Sequence, residues 1–274
     1  MRVEQCSIED LDLSCLFFEK AIEFQKQKGG PSYKFVDRQL FQEDIEAGRQ
    51  HKIINDRNEV VFLFTLWEND EHIWIDKQED AALYLHRLLV NPGHRGQGHF
   101  KQALDWIEIY AYCKSVNYLR LDTLADSEGL TQLYEKHGFH KVGFYRVPTS
   151  SEASQNSQGN HVVLLERELQ TGALYFANES YIENAPGFKS RSKSLDKWKV
   201  IEVTIEDSFV EEDWCNKTHL GYVTSGKLEV LFNNGDSKLY QPGKILWIAE
   251  NNSHKATSKT DSIAHVLLFE HGVG

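Results

Sequence analysis

The chain is short of positive charge: 30 Lys and Arg stand against 41 Asp and Glu, a formal net charge of −11 at pH 7. A general nucleic-acid binder needs a basic face for phosphate contact, so this balance argues against nucleic acid as a partner. An anionic ligand must be held by local backbone dipoles and a few cations, because the overall field opposes it. No apolar run approaches the length needed to cross a bilayer, and no membrane partner is expected. Nothing at the N-terminus reads as a secretory signal, since Met1-Arg-Val-Glu-Gln-Cys6 is followed at once by acidic residues. Cysteine is sparse: Cys6, Cys15, Cys113 and Cys215 are scattered and form no CxxC pair. Reduced thiols in a cytoplasmic protein are the expectation. No internal repeat is visible, and no convincing amphipathic helix follows Thr171.

What is present fits two hydrophobic cores, because 274 residues are long for one and comfortable for two. Up to about residue 170 the pattern mixes helices and strands. Leu13, Phe17, Ala21 and Phe24 form a helical stripe over 8–27, closed by Gly29-Gly30-Pro31. A second helix is expected over 38–47. Strands follow near 52–55 and 60–67, around Ile73, and over 83–90. Phe100, Ala103, Leu104, Ile107 and Ala111 mark one face of the next helix. A strand over 118–123, a helix over 127–137 and strands over 139–146 and 161–168 complete the segment. The polar stretch 149–159 reads as a loop. This order implies an α/β (α+β) layer on a central sheet. Beyond a boundary between 169 and 178, short apolar runs recur at 199–206, 219–224, 228–232, 245–248 and 264–269. Turn signals such as Asn233-Asn-Gly-Asp236 separate them, so an antiparallel sandwich or small barrel is expected. Domains of 1–170 and 171–274 result.

The chemistry concentrates at Leu85-His-Arg-Leu-Leu-Val-Asn-Pro-Gly-His-Arg-Gly-Gln-Gly-His-Phe100. An apolar strand runs into a glycine-punctuated turn that opens onto an amphipathic helix. Such a turn presents backbone N–H groups at the positive end of a helix dipole, which suits a pyrophosphate, and Arg95 adds a fixed charge. With Leu133-Tyr-Glu-Lys-His-Gly-Phe139 downstream, these words resemble the GNAT family of acyl-CoA-dependent N-acyltransferases. The family signature falls on Arg95, Gly98 and Phe100; the first two fit, and Phe100 replaces a small residue. His99 stands where an aliphatic residue is usual.

The resemblance implies acetyl-CoA as cosubstrate and an amine of a small molecule as acceptor. Backbone groups across Arg95, Gly96, Gln97, Gly98, His99 and Phe100 would hold the pyrophosphate. Main-chain groups of Leu88, Leu89 and Val90 would pair with the pantetheine arm. Ser127 stands where many members have Asn, and its hydroxyl would cap a helix or touch the pantetheine. Tyr134 would protonate the departing thiolate. An attacking amine must also lose a proton. His86 is a candidate base, placed by alternation on the same strand face as Tyr84, Leu88 and Val90. A packed, hydrogen-bonded imidazole is the competing reading. Asp76, Glu79 and Asp80 precede the same strand, where a solvated charge run is the simpler account. The base stays unassigned.

From about Leu174 the tail resembles a single-domain cupin, an all-β barrel. The words are Thr218-His-Leu-Gly-Tyr-Val-Thr-Ser-Gly226 and Gln241-Pro-Gly243, then Ile248 and His254. Aligning on Tyr222 and Gly226 places Asp213 and Cys215 at two histidine positions, His219 at the glutamate position and His254 at the last ligand. The family's usual three-His, one-Glu set is therefore absent. Asp213, Cys215, His219 and His254 could still bind a metal, with zinc better suited than a hard ion; a metal-free barrel is the competing reading. Trp198, Trp214, Trp247 and Tyr222 would line or fill the barrel mouth. The resulting expectation is an N-acetyltransferase fused to a cupin of accessory or sensing role, with a homodimer implied by resemblance alone. Two other readings stand beside it: a ligand-sensing protein without turnover, and a cupin enzyme with a zinc-like site.

Overall fold

The computed structural model describes residues 2–29, 32–77, 79–149, 156–169, 176, 179–195, 198–207, 209–248, 252–257 and 263–271. The chain divides into two compact units, one holding nearly all of Val3–Leu169 and the other chiefly the residues from 170 onward. No described helix is long and apolar enough to cross a membrane.

The first unit is built on a seven-stranded sheet. Its strands are β1 (Arg2–Gln5), β2 (Gln50–Ile54), β3 (Val60–Trp67), β4 (Ala82–Val90), β5 (Tyr118–Leu124), β6 (His140–Arg146) and β7 (His161–Glu168). The spatial order is β1-β2-β3-β4-β5-β7-β6. Strand β3, Val-Val-Phe-Leu-Phe-Thr-Leu-Trp, is buried along its length, as expected of a central strand covered on both faces. Four helices accompany the sheet: α1 (Leu11–Gln27), α2 (Arg38–Glu46), α3 (His99–Cys113) and α4 (Glu128–Lys136). Asp37 caps α2 by accepting from the Leu40 N–H at 3.1 Å. In α3 the stripe Ala103, Leu104, Ile107 and Ala111 is buried, as its spacing predicts.

Two expectations for this unit need correction. The buried face of α1 is centred on Leu11, Cys15, Phe17, Phe18 and Ile22, so Phe24 lies off it and is 38% exposed. Around Ile73 there is no strand: a turn leads into a 3-10 helix at Ile75–Lys77, with Ile73 and Trp74 buried. An apolar pair between acidic turns fits a short tertiary anchor as well as a strand, and periodicity over so few residues does not separate them.

The feature that shapes the unit lies in the middle of β4. Strands β4 and β5 are parallel and pair only at Ala82–Tyr84 with Tyr118–Arg120. On its other edge β4 pairs with β3, where Leu63 faces Leu89 but Thr65 faces His86, so β4 carries one surplus residue. Arg87 absorbs the surplus at φ 45°. A non-glycine residue there costs about 1–3 kcal/mol and persists only where its surroundings hold it. They do: the Arg87 guanidinium pairs with the fully buried Asp44 of α2 and lies 5.1 Å over the Phe41 ring. The bulge also breaks the alternation that placed His86, Leu88 and Val90 on one face, because side chains past Arg87 exchange faces.

From residue 170 onward every described element is a strand. Strands β8 (Ile182–Ala185), β9 (Phe188–Leu195), β10 (Trp198–Ile205), β11 (His219–Ser225), β14 (Ile245–Ile248) and β16 (Ala264–His271) form one sheet, ordered β14-β11-β16-β10-β9-β8. Strands β12 (Leu228–Phe232), β13 (Ser237–Tyr240) and β15 (His254–Thr257) form a second, ordered β13-β12-β15. The expected closed barrel is not seen among the described residues; the two sheets enclose one core. Val203, Val223, Leu246 and Val266 come from the larger sheet, and Leu228, Val230 and Tyr240 from the smaller. The Ser- and Lys-rich hairpin β8–β9 was not legible, because polar strands lack the apolar runs that reveal their neighbours.

Candidate active site

Where β4 leaves β5, the first unit opens a cavity of about 780 Å³. The segment from His86 to Val90 lines it, together with Arg95 and Gly96 of the turn, Asp122 of β5, Ser127 and Tyr134. The structure thus gathers most of the residues singled out from the sequence. Gln97, Gly98, His99 and Phe100 are not part of the lining. His99 is 4% exposed, and its Nδ1 lies 2.9 Å from Gln102 Oε1. The Phe100 ring turns toward Tyr134, at 5.5 Å, and His137, at 5.0 Å, which leaves the turn unplugged.

The turn itself is built on two glycines. Gly96 and Gly98 both adopt φ 76°, and nothing lies within 4 Å of where a Cβ would stand at either. Neighbouring packing therefore does not explain these glycines; their left-handed backbone does, and the absent side chains leave the main chain bare. The first turn of α3 follows, with N–H groups that lack intrahelical acceptors. Arg95 reaches back over α1, its guanidinium 4.0 Å from the Phe24 ring centroid and Nη2 donating to Lys20 O at 3.4 Å. Phe24, off the core stripe, serves as a platform for the cation. The Ser127 side chain makes no capping hydrogen bond; its backbone O accepts from Thr131 N at 3.1 Å.

Tyr134 is buried on α4, and its phenol is pushed above the usual range by burial, then by Tyr33 and the charge of Asp122. It stays protonated until a stronger base forms beside it. Tyr33 is raised in the same way, by burial and then Asp122. The segment carrying Tyr33 is clamped by Asn156, which accepts from Lys34 N and Phe35 N at 3.2 and 3.3 Å and donates to Phe35 O at 2.9 Å. Asn156 fell within an apparently featureless polar loop.

The candidate bases separate sharply. Asp76, Glu79 and Asp80 are exposed and lie outside the cavity lining; Asp80 pairs with the buried Arg120. His86 lies at the cavity, its ring 4.4 Å from that of Trp67. Burial, then the charge of Arg49, pushes its pKa down to about 4. Its Nε2 stands 3.5 Å from Asp70 Oδ2. The donor atoms of Asp70, His86 and Asp122 lie within 4.8 Å of one another. Burial and then Asp122 raise Asp70 to about 7, against backbone N–H groups of Ile73 and His72 that pull it down. Burial raises Asp122 to about 6. Asp70 and Asp122 were missed because no short-range pattern links a turn residue to one on β5.

Residues 20–139 match the model of the Acetyltransferase (GNAT) family. That match supports a GNAT acetyltransferase domain within the first unit. A curated relative from Bacillus subtilis (strain 168), called Uncharacterized N-acetyltransferase YesJ, is 34% identical over 76 residues. The matched stretch is 28% of this chain and 42% of that protein, less than half its length. A GNAT-family acetyltransferase from Listeria monocytogenes 4b F2365 superposes with a TM-score of 0.50 at 22% identity, over 61% of this chain and 94% of that one. This likeness bears on fold alone. A sugar phosphate isomerase from a cupin superfamily, from Silicibacter pomeroyi, covers 32% of this chain and 61% of its own at 20% identity. Its TM-score of 0.28 is too low to carry an argument.

In the second unit three of the four expected ligand residues converge. Cys215 Sγ lies 3.2 Å from His219 Nε2, and the rings of His219 and His254 stand 5.1 Å apart at 90°. The three donor atoms lie within 4.8 Å of one another. Reciprocal backbone bonds of 2.8 and 2.9 Å tie Cys215 to His254. His254 Nδ1 contacts Asn252 O at 2.8 Å, which favours the proton there and leaves Nε2 with its lone pair. Asp213 does not join them: it is exposed in a bend before β11, so the strand alternation expected to align it with Cys215 does not apply. Trp198 is buried against Phe269, whereas Trp214 is 47% exposed.

Proposed function

We propose that the protein is an N-acetyltransferase that moves an acetyl group from acetyl-CoA to an amine of a small molecule. One observation carries the reading: a single cavity spans the unpaired part of β4, the Arg95–Gly96 end of the glycine turn and Tyr134. Past Tyr84, β4 is not paired with β5, so its polar backbone on that edge suits the amides of a pantetheine arm. The glycine turn and the α3 dipole suit the pyrophosphate, and Arg95 neutralises part of its charge against an acidic background. Attack by the amine on the thioester carbonyl expels a thiolate, and Tyr134, protonated at neutral pH, is the proton donor. A positioned acid of this kind contributes about 100-fold or more. Calorimetry with acetyl-CoA, followed by free-thiol release across a panel of amines, tests the reading. Absence of acetyl-CoA binding overturns it, and binding without thiol release favours a ligand sensor.

For the second unit, the convergence of Cys215, His219 and His254 supports an accessory domain that takes up zinc. One thiolate and two imidazoles suit a borderline-soft divalent ion, and a fourth position stays open to water or a ligand. Burial, then His254 and Lys217, push the His219 pKa down to about 4, so its ring is neutral, the form that ligates metals. Metal analysis of protein purified without added ions tests this; absence of stoichiometric metal, with no zinc uptake on titration, retires it.

A further inference from the structure

We propose that Asp70 is the proton acceptor for the incoming amine, with Asp122 keeping it proton-hungry and His86 positioning it. The inference rests on the acetyltransferase reading above and names the group that sequence patterns left unassigned.

The geometry is specific. Asp70 and His86 meet at 3.5 Å, and Asp122 of β5 brings its carboxylate within 4.8 Å of both. All three line the cavity that Tyr134 enters. Asp70 also lines a second, more polar cavity of about 710 Å³, together with Glu43, Glu68, Glu71 and Arg49. It therefore stands where the two cavities adjoin, between the cofactor's side and a separate approach for the acceptor. That approach favours a primary amine arriving as an ammonium ion, because its carboxylates outnumber its guanidinium.

The electrostatics make the cluster a base poised near neutrality. Two carboxylates this close in a buried site do not ionise independently and share a proton over part of the pH range. The groups facing them are His86 and Arg87 from β4, Arg49 ahead of β2, Tyr33 between α1 and α2, Tyr134 from α4, and His72 beside Asp70. Arg87 is engaged by Asp44, so its charge is largely spent outside the cluster. His86 is neutral, and its buried Nε2 makes no hydrogen bond among the described residues, which leaves it able to orient one carboxyl oxygen.

The N–H bond of the ammonium breaks as an O–H bond forms on Asp70, leaving a neutral amine. Its lone pair attacks the acetyl carbonyl carbon, the C–S bond breaks, and its electron pair leaves on sulfur. Tyr134 gives that sulfur a proton. The second surplus proton on the new amide nitrogen restores the phenol, and the proton on Asp70 leaves to solvent.

The test uses the full chain and its Asp70→Asn, Asp122→Asn and His86→Gln variants, with three readouts. Calorimetry with acetyl-CoA is expected to give the same affinity within about threefold in every variant. Carbon NMR of labelled aspartate is expected to show two linked carboxyl titrations between roughly pH 5 and 8 in the wild type, with Asp70 moving down in Asp122→Asn. With ethylenediamine or another active amine from the panel, Asp70→Asn should lower kcat roughly 100-fold and erase the acid limb of the pH profile. Asp122→Asn should move that limb to lower pH, and His86→Gln should lower kcat while keeping it. Retention of kcat and of the acid limb in Asp70→Asn overturns the proposal while leaving the transferase reading intact. Ordinary, independent titrations below pH 5 overturn it even if no amine turns over. Absence of acetyl-CoA binding by the wild type instead overturns the reading on which it rests.

Discussion

Each unit gathers three ionisable side chains within 4.8 Å, and the two trios differ in what they suit. Asp70, His86 and Asp122 are hard, protonatable groups at the wall of a large cavity, where burial raises the carboxylates and keeps the imidazole neutral. Cys215, His219 and His254 are softer donors held where β11 begins and β15 passes, tied by a two-bond backbone bridge. The first arrangement suits moving protons; the second suits holding an ion. Similar geometry leads to different chemistry because donor type and surroundings set the proton affinities.

Glycine sharpens the contrast. Gly96 and Gly98 have open space where a Cβ would stand, but at Gly226, φ 71°, an added Cβ would lie 2.1 Å from Ile263 O. Gly226→Ala should therefore destabilise the second unit by about 3–5 kcal/mol, combining backbone strain with a backbone clash. Gly98→Ala should leave unfolding within about 1–2 kcal/mol of wild type and weaken acetyl-CoA binding instead. Denaturant melts and calorimetry check both, and equal stability losses would erase the distinction between ligand space and packing space.

Tyr134→Phe should lower kcat about 100-fold, or about 2.7 kcal/mol, with acetyl-CoA affinity kept, as thiol-release kinetics and calorimetry would show. Zinc should stabilise the wild type by about 2 kcal/mol at free zinc some 30-fold above Kd, and Cys215→Ser should abolish the shift in thermal melts. A pH-dependent effect concerns Asp70. Its folded pKa of about 7 lies above the unfolded value of about 3.9, so the associated stability is present below about pH 4 and lost as pH rises through 7. Asp70→Asn should therefore be more stable than wild type at pH 8 and show little such difference near pH 4, as denaturant melts at the two pH values would show. A difference that grows toward acid would reverse the sign and remove the case for a raised carboxyl.

Legibility followed the range of each signal. The glycine turn, α3 with its stripe and Tyr134 lie within one contiguous stretch of pattern, and the structure puts the turn and the phenol at one cavity. Strand β3 was read to the residue because continuous burial leaves a continuous apolar run. The bulge at Arg87 was invisible, since alternation assumes no surplus residue and an arginine at positive φ has no sequence signature. Its buried partner Asp44 sits on another element, as do Asp70 relative to Asp122 and Asn156 relative to Tyr33. Such pairings depend on tertiary folding, which local periodicity does not encode. In the second unit the Cys215–His254 pairing likewise joins distant segments, and only a resemblance had suggested it.

The extra residue in β4 has a consequence for how this site could be lost. Deleting Arg87 would remove the kink and let the strand run straight beside β3, returning Leu88 and Val90 to the face they would occupy in an uninterrupted ladder. Asp44, fully buried, would then keep Arg49 and Trp67 at Oδ1 but lose the guanidinium at its other oxygen. A single codon's loss would thus both close the gap in the sheet and penalise the closed form, so the opening is guarded against the simplest route to its disappearance.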